Sequence, residues 1–120
     1  MRRALVGVAG LIVAGALTGC QTFVSVDTKG KAPVFTWRAD LPVTGLLVTA
    51  DPDCEAVVGK TRADSVWWQL TGTIHPPVTY GVVPRGATEL APPRPLSACG
   101  KYQVTVTDQN LQGETSTFRP

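Results

Sequence analysis

Three cysteines, Cys20, Cys54 and Cys99, are the residues of this 120-residue chain best able to do covalent chemistry. A thiol can carry a lipid, join a second thiol or ligate a metal, and spacing and compartment decide between these fates. Zinc is disfavoured by the ligand set, since neither Cys54 nor Cys99 has a close cysteine or histidine companion and His75 is the only histidine. Asp51, Asp53 and Glu55 form an acidic cluster, but a calcium loop needs further ligands and a closing glutamate at fixed spacing. Pro52 between two aspartates reads instead as a tight turn. Hydrolysis by paired carboxylates needs a second group across a cleft, and nothing marks one. His75 precedes Pro76-Pro77, and the chain holds no Gly-x-Ser-x-Gly elbow, no Gly-x-Gly-x-x-Gly and no phosphate loop. The expectation is a protein that is not an enzyme, with no catalytic residue, metal or cofactor.

Cys20 owes its meaning to what precedes it. Met1-Arg2-Arg3 is a positive start, Ala4 to Leu17 is an uncharged and mostly apolar run, and small residues follow at Thr18-Gly19. That is the layout of a secretory signal peptide. The run is short against the roughly 20 apolar residues a spanning helix needs, and Gly7, Gly10 and Gly15 weaken it further. Leu17-Thr18-Gly19-Cys20 resembles the lipobox of bacterial lipoproteins, an aliphatic residue and two small ones before a cysteine. The resemblance implies a signal peptide over residues 1–19, cleavage before Cys20, a diacylglycerol on its sulfur and an acylated amino group. Two or three fatty chains of the palmitate class hold a protein to a bilayer where one holds only marginally. The alternative is an ordinary signal peptide with a chance cysteine. Gln21 stands where the family's inner-membrane retention signal has an aspartate, which leans toward the outer membrane, facing the periplasm, in an organism with two membranes.

With Cys20 carrying lipid, Cys54 and Cys99 remain as an even pair in a compartment where thiols oxidise. A disulfide between them would close a loop of roughly 45 residues and stabilise a small domain by about 3–4 kcal/mol. Two unpaired buried thiols are the alternative.

The formal charge of +2 belongs to the leader: without Arg2 and Arg3, nine basic residues face nine acidic ones. The basic residues are scattered singly or in separated pairs, so no stripe exists for nucleic acid and none is expected as a partner.

Positioning these residues falls to short strands. Ten prolines and eight glycines break residues 20–120 repeatedly, room remains for one domain, and no segment reads as a helix. Strands are predicted at 23–26, at 33–38 with Phe35 and Trp37 facing the core, at 46–50 after a turn at 41–45, and at 66–70. In the last, alternation puts Val66, Trp68 and Leu70 on one face and Trp67 and Gln69 on the other. A proline-bounded strand over 76–84 suits a sheet edge. After the proline-rich connection 91–95 come a strand at 101–107, with Tyr102, Val104 and Val106 inward, and a last one at 115–118. About seven short strands in roughly 100 residues predict an all-β antiparallel β-sandwich.

Leu96-Ser97-Ala98-Cys99-Gly100-Lys101-Tyr102-Gln103-Val104-Thr105-Val106 resembles the approach to the sixth strand of fibronectin type III and related immunoglobulin-like domains. The resemblance implies that Tyr102 is a corner tyrosine whose hydroxyl bonds back to nearby backbone, and that Trp37 is the core tryptophan of the second strand. The glycine sits one place later than in the family, with Cys99 before it. Pro76-Pro77-Val78-Thr79-Tyr80-Gly81 is similar to a run in small uncharacterised bacterial lipoproteins and implies no function.

Trp67 is the candidate ligand surface, since a tryptophan facing water can stack on a sugar or anchor a partner. The alternative is that both Trp67 and Trp68 are packed. The functional expectation is a non-catalytic, lipid-anchored lipoprotein of the cell envelope, serving as a protein-interaction or structural module. Its rival is a module that binds cell-wall glycan or a small ligand through Trp67.

Overall fold

The computed structural model describes residues 24–38, 42–110 and 112–120. The leader, Cys20, Phe23 and part of the turn expected at 41–45 lie outside them.

Eight antiparallel strands form two sheets packed face to face, which is the expected β-sandwich. β1 (Val24–Asp27), β2 (Val34–Trp37) and β5 (Val78–Thr79) make a three-stranded sheet in the order β1-β2-β5. The larger sheet runs β6-β4-β3-β7-β8, from β3 (Val43–Ala50), β4 (Val66–Ile74), β6 (Ala87–Ala91), β7 (Tyr102–Thr107) and β8 (Gly113–Phe118). The orders β1-β2-β5 and β3-β7-β8 match strands A-B-E and C-F-G of the immunoglobulin sandwich, with β4 and β6 added beside β3. β6 departs from that plan because it follows β5 in the chain and then crosses to the other sheet. A short 3₁₀ turn, Arg62–Ser65, leads into β4.

The core forms where the inner faces meet. Phe35 of β2 meets Phe118 of β8 edge-on at 5.5 Å, and Phe118 stacks on Tyr102 at 5.8 Å. Phe35 and Trp37 are buried, as their shared face predicts, and so are Tyr102, Val104 and Val106. At the sandwich edge the Ser116 hydroxyl donates to the Val24 carbonyl oxygen, tying β8 to β1 across the two sheets.

Three expectations change. The strand expected over 76–84 shortens to Val78–Thr79, because Gly81 takes a left-handed φ of 88° and the Val82 N–H bonds back to the Thr79 carbonyl. It keeps the expected edge position. β6 adds an eighth strand that Ala87-Thr88-Glu89-Leu90-Ala91 hardly announces, since its residues lack apolar alternation. At its start the backbones of Gly72 and Gly86 approach so closely that a Cβ on Gly72 would lie 2.5 Å from the Gly86 oxygen. Only glycine fits there.

The third change concerns β4. Val48 pairs with Trp68, yet the next residue, Thr49, pairs with Val66, so Trp67 is an extra residue in a β-bulge. A bulge interrupts alternation. Both tryptophans therefore turn inward, Trp67 against Tyr102 at 5.7 Å and Trp68 against Tyr80 at 5.1 Å. Trp67 is 1% exposed, which corrects the expectation of a tryptophan on the water-facing side.

Candidate functional site

The end of the sandwich that holds the C-terminus of β3 and the start of β7 is closed by covalent and polar links. Cys54, in the β3–β4 loop, forms a disulfide with Cys99, in the β6–β7 loop, with Cα atoms 5.2 Å apart. That separation lies well inside what a bridge requires. The Tyr102 hydroxyl donates to the Leu96 carbonyl and accepts the Cys99 N–H at 3.1 Å. This is the corner hydrogen bond that the family resemblance implies, and it also holds the backbone of one half of the disulfide.

Asp51, Asp53 and Glu55 lie in the same loop and form a turn. The Asp51 carboxylate accepts the Asp53 N–H at 2.8 Å, the Asp51 carbonyl accepts the Cys54 N–H at 2.9 Å, and Lys101 pairs with Asp51 at 3.6 Å. His75 is exposed at the opposite end, before the cis Pro76–Pro77 bond.

Trp67 is the centre of a clasp. Its indole N–H donates to the Pro95 carbonyl at 2.8 Å, and the Arg94 guanidinium lies 3.7 Å from its ring centroid. Arg94 reaches on to the carbonyls of Asp64, at 2.9 Å, and Val66, at 3.2 Å. The Tyr80 hydroxyl donates to the Arg94 carbonyl at 2.7 Å and accepts the Arg94 N–H at 3.1 Å. Burial pushes the Tyr80 phenol up to about 12, against a weaker downward pull from the hydrogen bond to the Arg94 backbone. The proline-rich connection is thereby fastened over β4. Arg94, Pro95 and Tyr80 carry this clasp, and sequence reading had no signal for it, because its partners lie 13 to 28 residues from Trp67.

An open groove of about 590 Å³ runs between the β3–β4 loop and the outward face of the larger sheet. Thr49 and Gln103 line it from the sheet, Asp53, Lys60, Thr61, Arg62 and Ser65 from the loop, and Val58 supplies exposed apolar wall. The Thr61 hydroxyl and backbone N–H both donate to the Asp64 carboxylate at 2.9 Å, which holds that carboxyl below the usual carboxylate range. They also fix the shape of the loop. A second groove of about 590 Å³, lined by Trp37, Val43, Thr73 and Asp108, lies at the other end. The first groove combines hydroxyl, amide and apolar surface with the charges of Asp53, Lys60 and Arg62, so ion pairs as well as hydrogen bonds and contacts are open to a ligand there.

No family model, curated protein or solved structure matches this chain.

Proposed function

We propose that the protein is a non-catalytic lipoprotein of the bacterial envelope, anchored through lipidated Cys20, whose sandwich acts as a protein-interaction or structural module. The observation that carries this reading is the lipobox Leu17-Thr18-Gly19-Cys20, whose cysteine lies four residues before the first residue of β1. Four extended residues reach at most about 14 Å. The anchor would therefore hold the end bearing Val24, Trp37 and Val43 next to the bilayer. The disulfide and the first groove would then face away from it, by about 25 Å along the eight residues of β3. The Cys54–Cys99 bridge supports an oxidising compartment. No helix among the described residues is long and apolar enough to cross a membrane. A glycan reading that relies on stacking at Trp67 loses its platform, since that ring is buried.

Mass analysis of the protein purified from its host tests the anchor. The expected product begins at Cys20 and carries acyl chains, and Cys20→Ser leaves the membrane fraction. An intact leader or an unmodified thiol in the purified product overturns the reading. Cross-linking in intact envelopes then tests the interaction role, with reproducible capture of the same protein neighbour as the expected result.

A further inference from the structure

The β3–β4 loop, residues 51–65, is long for a connection inside a compact domain, and such loops are usually either disordered or functional. This one is tethered along its length. The disulfide holds Cys54, Val57 is buried in the core, the Val58 N–H donates to the Cys54 carbonyl at 3.1 Å, and the Lys60 N–H donates to the Val57 carbonyl at 3.0 Å. Thr61 and Asp64 close the next turn, and Arg94 holds the Asp64 carbonyl. Side chains on this frame are placed in advance, which lowers the ordering cost of binding.

Two cations stand on the frame and line the first groove, Lys60 and Arg62. Both are exposed, and among the described residues neither forms an ion pair or a side-chain hydrogen bond. The Asp64 carboxyl is held low chiefly by the Thr61 hydroxyl and N–H, with Lys60 only a minor pull. Two residues apart, Lys60 and Arg62 have Cα atoms within ~7 Å of each other, so one carboxylate can meet both. Asp53 brings a third exposed charge, negative, from the start of the loop. From the sheet come the Gln103 amide and the Thr49 hydroxyl, each able to donate and to accept, and neither side chain is used in a hydrogen bond among the described residues. Val58, 59% exposed, adds apolar surface.

A ligand that uses all of these carries an anionic group, a cationic group and amide links. Size argues for a small one, since about 590 Å³ falls within the ~300–1,000 Å³ of small-ligand sites. A polyanion would meet Asp53, and a neutral ligand would strip water from three charges without pairing them. We propose that the groove binds a short zwitterionic peptide, its terminal carboxylate on Lys60 and Arg62, its amino group at Asp53 and its peptide bonds on Gln103 and Thr49. The assignment deepens the interaction role proposed above and rests on the anchor only to bring the groove to the envelope.

The test titrates the lipidated protein in detergent with trialanine and with its C-amidated and N-acetylated forms, following backbone amide resonances. Saturable shifts at Asp53, Lys60, Arg62 and Gln103 are expected with trialanine. Amidation, which removes the carboxylate, is expected to weaken binding about tenfold, and acetylation, which removes the ammonium, about fivefold. Lys60→Gln and Arg62→Gln should each weaken trialanine binding about fivefold, the upper range of an exposed ion pair, and the double variant more. Arg85→Gln makes the same charge change on the exposed turn beside Gly86, which meets Thr73 at the other end of the sandwich, and should leave binding unchanged. Unfolding midpoints verify that each variant folds. No saturable shift with trialanine, shifts confined to the groove at Trp37, equal affinity for either blocked form, or indifference to the double variant overturns the proposal. The mass of the same preparation reports separately on the anchor, so the two readings fail independently.

Discussion

Arg94 and Trp67 hold each other twice: the guanidinium lies 3.7 Å from the indole centroid, and the Arg94 N–H donates to the Trp67 carbonyl at 3.0 Å. An exposed cation thus lids a buried ring. The same side chain satisfies the carbonyls of Asp64 and Val66, so one residue joins the 3₁₀ turn, β4 and the proline-rich connection.

Arg94→Ala removes the ring contact and both side-chain hydrogen bonds, and it is expected to cost about 1–2 kcal/mol in urea unfolding. Arg94→Lys keeps the charge but not the planar fork, and should recover less than half of the loss. Full recovery by lysine would reduce the clasp to simple charge.

Breaking the disulfide is expected to cost about 4 kcal/mol, the loop-closure entropy for cysteines 45 residues apart. Cys54→Ser and Cys99→Ser should cost similar amounts, since either opens the same loop. Unfolding with and without reductant measures the wild-type value, and a reductant effect below about 1 kcal/mol would contradict the entropic account.

Tyr102→Phe keeps the ring stacked on Phe118 but deprives the Leu96 carbonyl and the Cys99 N–H of their partner. The expected cost is about 1–3 kcal/mol, measured by denaturant unfolding. Since the hydroxyl holds the Cys99 backbone, a double-mutant cycle of Tyr102→Phe with Cys99→Ser should be non-additive. Strict additivity would disconnect the corner from the bridge.

Tyr80 links stability to alkaline pH. Its phenol is raised from 10.0 to about 12, chiefly by burial, so the protonated form is favoured in the folded state. The stabilisation it contributes is complete below about pH 10, declines as the unfolded chain ionises between about pH 10 and 12, and is spent above that. Thermal unfolding across this window should show the decline, and Tyr80→Phe should flatten it. A phenolate signal from Tyr80 that titrates near pH 10 in the folded protein would refute the assignment.

All three tryptophans are buried, so native fluorescence should peak at short wavelength, resist quenching by acrylamide and move to the red on unfolding. A native spectrum resembling free tryptophan would place Trp67 back on the surface.

Sequence by itself determined the strand class, the inward face of β7 and the core roles of Phe35 and Trp37, because alternation over a regular strand is a local property with a period of two. Cysteine arithmetic and the approach to Tyr102 announced the bridge and the corner bond. Tertiary structure alone decided where Trp67 points: a bulge exists only against a partner strand, and the extra residue opposite the Val48–Thr49 step reverses the face that alternation assigns. It also decided that Ala87–Ala91 is a strand, since those residues acquire their ladder from β4 rather than from their own pattern. The Arg94 clasp is likewise assembled from segments far apart in the chain, where only packing sets the distances that hydrogen bonds and ring contacts require.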